Sequence, residues 1–154
     1  MSNAGARPPP PGPCHALPPP GPMADAPLVP PLYRDGNVVA HAWGVELRAY
    51  WFPTCRPRRI PYASLTRVEV GRARLLASKT WGAGLDVFSA SPTWWHWDGF
   101  GNVHRAGKPC IIFGTKDTAW RHGATPRGGQ ESVDRLLSVV RQHAPADVAY
   151  VDSA

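Results

Sequence analysis

Gln130-Glu131-Ser132-Val133-Asp134-Arg135-Leu136-Leu137-Ser138-Val139-Val140-Arg141-Gln142-His143-Ala144-Pro145 is the stretch whose reading decides the fold. Val133, Leu136, Leu137 and Val140 recur at i, i+3, i+4 and i+7, one apolar stripe of an amphipathic helix. Arg135, Ser138, Arg141 and Gln142 fall on its other faces. Arg141 and His143 lie in the last turn, where positive charge meets the negative end of the helix dipole. Thr125-Pro126 offers a start, with Thr as cap and Pro at the first position. Gly128 and Gly129 move that start towards Gln130, and Pro145 stops the helix.

Upstream the period changes from helical to strand-like. Val38 to Trp43, then Gly44, then Glu46 to Phe52 reads as a hairpin, with Glu46, Arg48 and Tyr50 alternating against Leu47, Ala49 and Trp51. Pro53, Pro57 and Pro61 break the chain next, so Arg56, Arg58 and Arg59 are expected in a loop. A third strand runs from about Ser64 to Val70, with Val68 and Val70 on one face. Leu75 to Leu85 is ambiguous. Leu85 to Phe88 and Trp94 to Trp97 read as two arms joined by Ser89 to Thr93. Val103 to Arg105 and Lys108 to Gly114 suggest another hairpin across Gly107, followed by Ala119 to His122. Many short antiparallel strands and one closing helix predict a mainly β fold, a small bent sheet or open barrel capped by the C-terminal α-helix.

The N-terminal segment is different again. Of 19 prolines in 154 residues, 12 fall between Met1 and Pro31, where fixed φ angles and missing amide donors oppose helix and sheet. Residues 1–31 are therefore expected to be a disordered proline-rich leader, 32–145 the folded domain and 146–154 a tail. Within the leader, Arg7, Pro10 and Pro13 fit the Arg-x-x-Pro-x-x-Pro pattern read by proline-recognition grooves; the plain alternative is a spacer, or a start assigned too early. Cys14, Cys55 and Cys110 are too few and scattered for a disulfide framework, and no CxxC pair supports a zinc site. Cys110 reads as a small buried hydrophobe. No apolar run approaches the roughly 20 residues of a membrane helix, and prolines interrupt any signal-peptide pattern. A cytoplasmic, reduced protein is the expectation.

Arg59-Ile60-Pro61-Tyr62-Ala63-Ser64-Leu65-Thr66-Arg67-Val68-Glu69, Lys79-Thr80-Trp81-Gly82-Ala83-Gly84, and Thr125-Pro126 before a Val/Leu helix resemble bacterial pleckstrin-homology-like (PH-like) domains. The resemblance covers roughly Leu32 to Pro145. It implies a two-sheet open barrel with a capping helix, serving binding or scaffolding without catalytic machinery. In the wider superfamily, inositide ligands are held by basic residues between the first two strands. Here that connection, about Trp43-Gly44-Val45, is too short and carries no Lys or Arg, so that mode is not expected.

Charge is local. The formal net charge is +6, and the segment from Arg48 to Lys79 carries +7 against −1 for the rest of the chain. Arg56, Arg58, Arg59, Arg72 and Arg74 are the candidate anion-binding residues, if their two groups converge at one end; the alternative is a set of solvated loop arginines. Trp81, Trp94, Trp95, Trp97 and Phe100 crowd one stretch and serve mainly as barrel core and rim. Trp94 is the ring expected to be exposed as a partner contact. His96, Asp98 and His104 form the one cluster with a chemical look, although Asp98-Gly99 also reads as turn chemistry. His41 and His122 read as hydrogen-bonded or surface residues. The expected function is non-enzymatic binding, without cofactor or metal, of a protein partner or an anionic surface. A small basic nucleic-acid-binding barrel is the alternative, and would expose Tyr50 and tryptophans beside the arginines. A hydrolase or metal enzyme using His96 and Asp98 is a third.

Overall fold

The computed structural model describes residues 29–51, 54–73, 82–85, 92–96 and 107–153. Ten strands and one helix fall within them. Strands β1 (Tyr33–Arg34), β2 (Val38–Ala40), β3 (Gly44–Trp51) and β4 (Arg56–Pro61) form a four-stranded antiparallel sheet in chain order. A 3-10 turn at Tyr62–Ser64 leads into the second sheet. That sheet contains β5 (Leu65–Arg72), β6 (Gly82–Leu85), β7 (Pro92–Trp95), β8 (Pro109–Thr115), β9 (Thr118–Ala124) and β10 (Ala149–Ser153), in the order β10-β5-β8-β9-β7-β6. Helix α1 spans Gly129–His143. The fold is mainly β under one C-terminal helix, and its sheets are not closed.

The helix buries the stripe its sequence marks out. Val133, Leu136 and Val140 are buried, and Leu137 packs at the margin of the same cluster. Both sheets contribute to that core: Val38, Leu47 and Ile60 from the first, Val68, Ile111 and Phe113 from the second. Gly128 stands at the N-cap without a side-chain cap, and Thr125 is engaged elsewhere; Pro145 follows the C-cap Ala144, whose N–H still donates to Val140 O. Among the described residues, no helix is long and apolar enough to cross a membrane.

Several local expectations change. The alternation in β3 holds through Val45 and Leu47, then slips at Ala49, which has a φ of 47° within a β-bulge. A bulge adds one residue to one strand, so the inward face changes phase. Tyr50 is buried as a result, and Trp51 turns outward. Arg56, Arg58 and Arg59 lie on β4, not in a loop. Pro57 is tolerated because β4 is an edge strand paired only with β3. The first arm of the β6–β7 pair ends where the expected one begins, at Leu85, because Gly82-Ala83-Gly84 carries no side-chain pattern to mark it. Strand β8 pairs with β9, through Lys116-Asp117, while Val103 to Arg105 lies outside the described residues. Not every pairing is antiparallel: β7 runs parallel to β9, and β10 parallel to β5. The supposed tail thus includes the edge strand β10. Cys110 is free and buried, whereas Cys55 is disulfide-bonded, so cysteine usage no longer argues for a reduced compartment.

Candidate functional site

Three tryptophans meet where the two sheets part. The β3 bulge turns Trp51 outward from the first sheet. Trp94 on β7 is the parallel partner of His122 on β9, and Trp120, two residues before His122, shares its side of β9. Trp94 is the hub: its ring centroid lies 5.5 Å from Trp51 and 6.1 Å from Trp120, and Trp120 stands edge-on to it at 77°. The Trp94 indole N–H donates to Tyr50 O at 3.0 Å, tying the sheets together. Trp51 and Trp120 are each 39% exposed, while Trp94 is half-buried. With Tyr50, Arg58, Asp117, Thr118 and His122 these rings line an open cleft of about 390 Å³.

Beneath the indoles runs a chain of hydrogen bonds. Tyr50 is fully buried and its hydroxyl lies 2.5 Å from His122 Nδ1. Thr115 Oγ1 is 3.4 Å from His122 Nε2, and Thr115 also hydrogen-bonds Asp117, which pairs with Arg58. One assignment satisfies every group: Tyr50 donates to Nδ1, Nε2–H donates to Thr115, and Thr115 donates to the carboxylate. Burial pushes His122 down to about 4, with the Arg58 charge adding to the effect. Burial likewise raises the Tyr50 hydroxyl. Asp117 is held below the usual carboxylate range, first by the Thr115 hydrogen bond and then by Arg58. The imidazole and phenol are therefore both neutral around pH 7, and the Asp117 carboxylate is ionised.

The candidate arginines do not gather into one patch. Arg56 is exposed at the start of β4, opposite Trp51. Arg58 sits in the cleft against Asp117, while Arg59 pairs with Glu46 at 3.3 Å. Arg72 lies at the far end of β5, opposite Pro109, and donates to Gly107 O at 2.8 Å. Leu65, at the near end of β5, pairs with Thr115, two residues from Asp117. Seven strand steps separate those ends, roughly 23 Å at strand rise, so Arg72 and Arg58 face different regions. Arg74 lies outside the described residues.

Trp94 belongs to the site, as a hub and not as its most exposed ring. Trp95 is buried on the opposite face, where a Cβ at Gly123 would come within 2.6 Å of its indole. His96 is fully buried; its Nε2 accepts from the Thr125 N–H at 3.2 Å and contacts Thr125 Oγ1 at the same distance. It thus anchors the approach to α1. Asp98, His104, Trp81, Trp97 and Phe100 lie outside the described residues. Edge strand β4 is blunted against strand addition by Pro57 and Pro61. Sequence reading missed Tyr50, Trp51, Asp117, Thr118, Trp120 and His122 as one site. The spacing of Trp120 and His122, two apart on a predicted strand, was the available signal.

No family model, curated protein or solved structure matches this chain.

Proposed function

We propose that the protein is a non-enzymatic binding module of PH-like type, which engages a protein partner through its tryptophan cleft. The observation that carries this reading is the convergence of Trp51, Trp94 and Trp120 from two sheets on one open cleft. Large, stiff aromatic rings that are partly exposed and already packed bind at low entropic cost, and dominate many protein interfaces. The PH-like part of the reading rests on two sheets that share a core beneath one helix.

The same geometry disfavours acid–base catalysis, phosphate binding and base stacking at this cleft. A histidine lowered to about 4 is a poor base at neutral pH, and a phenol with raised pKa is a poor acid. Asp117 offsets the Arg58 charge inside the cleft and repels phosphate. Tyr50 is buried where a nucleic-acid barrel would present it for stacking. Arg58, Arg59 and Arg72 are each engaged within the fold, which leaves these three little directed attraction for an anionic surface.

The test is affinity capture by the full chain and by its Trp51→Ala/Trp120→Ala variant, with retained proteins quantified by mass spectrometry. Partners retained by the wild type should be lost from the variant by a factor of about 30, the scale of a 2 kcal/mol hot spot, with circular dichroism unchanged. An identical retained set from both proteins overturns the reading.

A further inference from the structure

We infer that the cleft recognises a polyproline II segment and that in the free protein it holds this chain's own Arg7-Pro8-Pro9-Pro10-Pro11-Gly12-Pro13. The inference rests on the tryptophan cleft being a binding site, and adds what fills it. Indoles set at 51° and 77° to the central Trp94 make ridges with hollows between them. Proline rings suit such hollows, because polyproline II is already extended and loses little freedom on docking.

The polar groups match as well. Polyproline II has no internal hydrogen bonds, so its carbonyls seek donors. The indole N–H groups of Trp51 and Trp120 have no hydrogen-bond partner among the described residues, whereas that of Trp94 is engaged by Tyr50 O. Three residues per turn bring Arg7, Pro10 and Pro13 onto one edge of the helix. With prolines on the indoles, the guanidinium at the end of that edge needs an acid. Asp117, which also pairs with Arg58, is the one acid among the described residues of the lining, and its side chain is 50% exposed.

The leader is long enough to reach. The described chain begins at Val29, and Leu32 N–H donates to Ala40 O at 2.8 Å, beside the Val45 end of β3. Trp51 lies six residues along β3 from Val45, roughly 20 Å away. Sixteen steps separate Pro13 from Val29, up to about 50 Å of polyproline II. A segment tethered within the same chain competes at an effective concentration that outside ligands rarely match. Partners would then have to displace it.

The experiment compares the full chain with its Pro10→Ala/Pro13→Ala and Arg7→Glu variants, whose changes lie outside the described residues. Trp51 and Trp120 indole N–H resonances are assigned by Trp→Phe substitution and probed with a soluble gadolinium chelate. Both variants should shift these resonances and broaden them at least twofold more than the wild type. A peptide of residues 5–15 should reverse the change in Pro10→Ala/Pro13→Ala, and a peptide of scrambled order should not. Unchanged resonances in both variants, or equal rescue by the scrambled peptide, overturn the inference. A wild-type signal that becomes variant-like on hundredfold dilution overturns docking within one molecule. None of these results alters the capture experiment, so loss of partners from Trp51→Ala/Trp120→Ala would still support the cleft when the leader does not fill it.

Discussion

His122 carries the pH-dependent contribution that the site makes between pH 6.5 and about 4. Its imidazole is buried and neutral, between the Tyr50 hydroxyl and Thr115, with its pKa lowered to about 4. In the unfolded chain an ordinary histidine takes up its proton near pH 6.5. Between those values the unfolded state binds a proton that the folded state refuses, so stability is full above pH 6.5 and falls as pH drops towards 4. The linked loss approaches about 3 kcal/mol at the lower end. Urea titrations at pH 7, 5.5 and 4.5 should show it, and a His122→Asn variant should lack most of the slope in that window. Equal slopes in both proteins would remove His122 as its source. The residue that positions this pair left almost no trace in the sequence. Ala49 adopts a φ of 47°, a region where glycine or asparagine would have signalled a bulge. An alanine there hid the change of phase, so Tyr50 was read on the polar face.

Elements were legible in proportion to how far their pattern repeats. Helix α1 shows four apolar positions at helical spacing; three of them are buried, Leu136 and Val140 in the cluster that both sheets share. Leu136→Ala should therefore cost 2–5 kcal/mol, about the range for emptying a core leucine site. Arg135→Ala, which loses an exposed pair with Glu131, should stay within about 0.5 kcal/mol. Chemical denaturation separates the two, and comparable losses would mean that the stripe does not seal the core. Strand β8 was equally readable, since Cys110 to Phe113 form a continuous apolar run in a strand with neighbours on both sides. Strand β4 was not, because prolines and arginines have loop composition, and only its place at a sheet edge allows them. Strand β10 is five residues beyond a helix stop and draws its order from β5. The cleft was legible only at Trp94 and Arg58, which the sequence assigns to different surfaces. Its other members lie up to 72 positions apart, as Tyr50 and His122 do: packing of the first sheet on the second joins those two, and the parallel pairing of β7 with β9 sets Trp94 beside His122. No local period encodes such a pairing.

On the scale of the whole molecule, the cleft is useful only if the two sheets hold a fixed separation. Three sets of contacts enforce it. Leu47 and Ile111, from different sheets, are fully buried in one cluster. Trp94 to Tyr50, Tyr50 to His122 and Arg58 to Asp117 cross between sheets at the cleft itself. A third set lies where β9 turns towards α1. There Asp35 accepts from the backbone N–H groups of Asn37, Val38 and Arg127, and Asn37 donates to Thr125 O at 2.8 Å. Contacts of this range couple the sheets into one cooperative unit. Leu47→Ala and Ile111→Ala should each lower stability by about 2–5 kcal/mol, with both shifting one transition whose midpoint is the same by far-ultraviolet circular dichroism and by tryptophan fluorescence. Separate midpoints in either variant would mean that the sheets unfold as independent units. The indoles would then meet only part of the time, and binding would carry the cost of assembling the cleft, because apparent affinity falls with the competent fraction. A single transition means that the rings are held ready before any ligand arrives, which is the condition under which three tryptophans make a recognition surface.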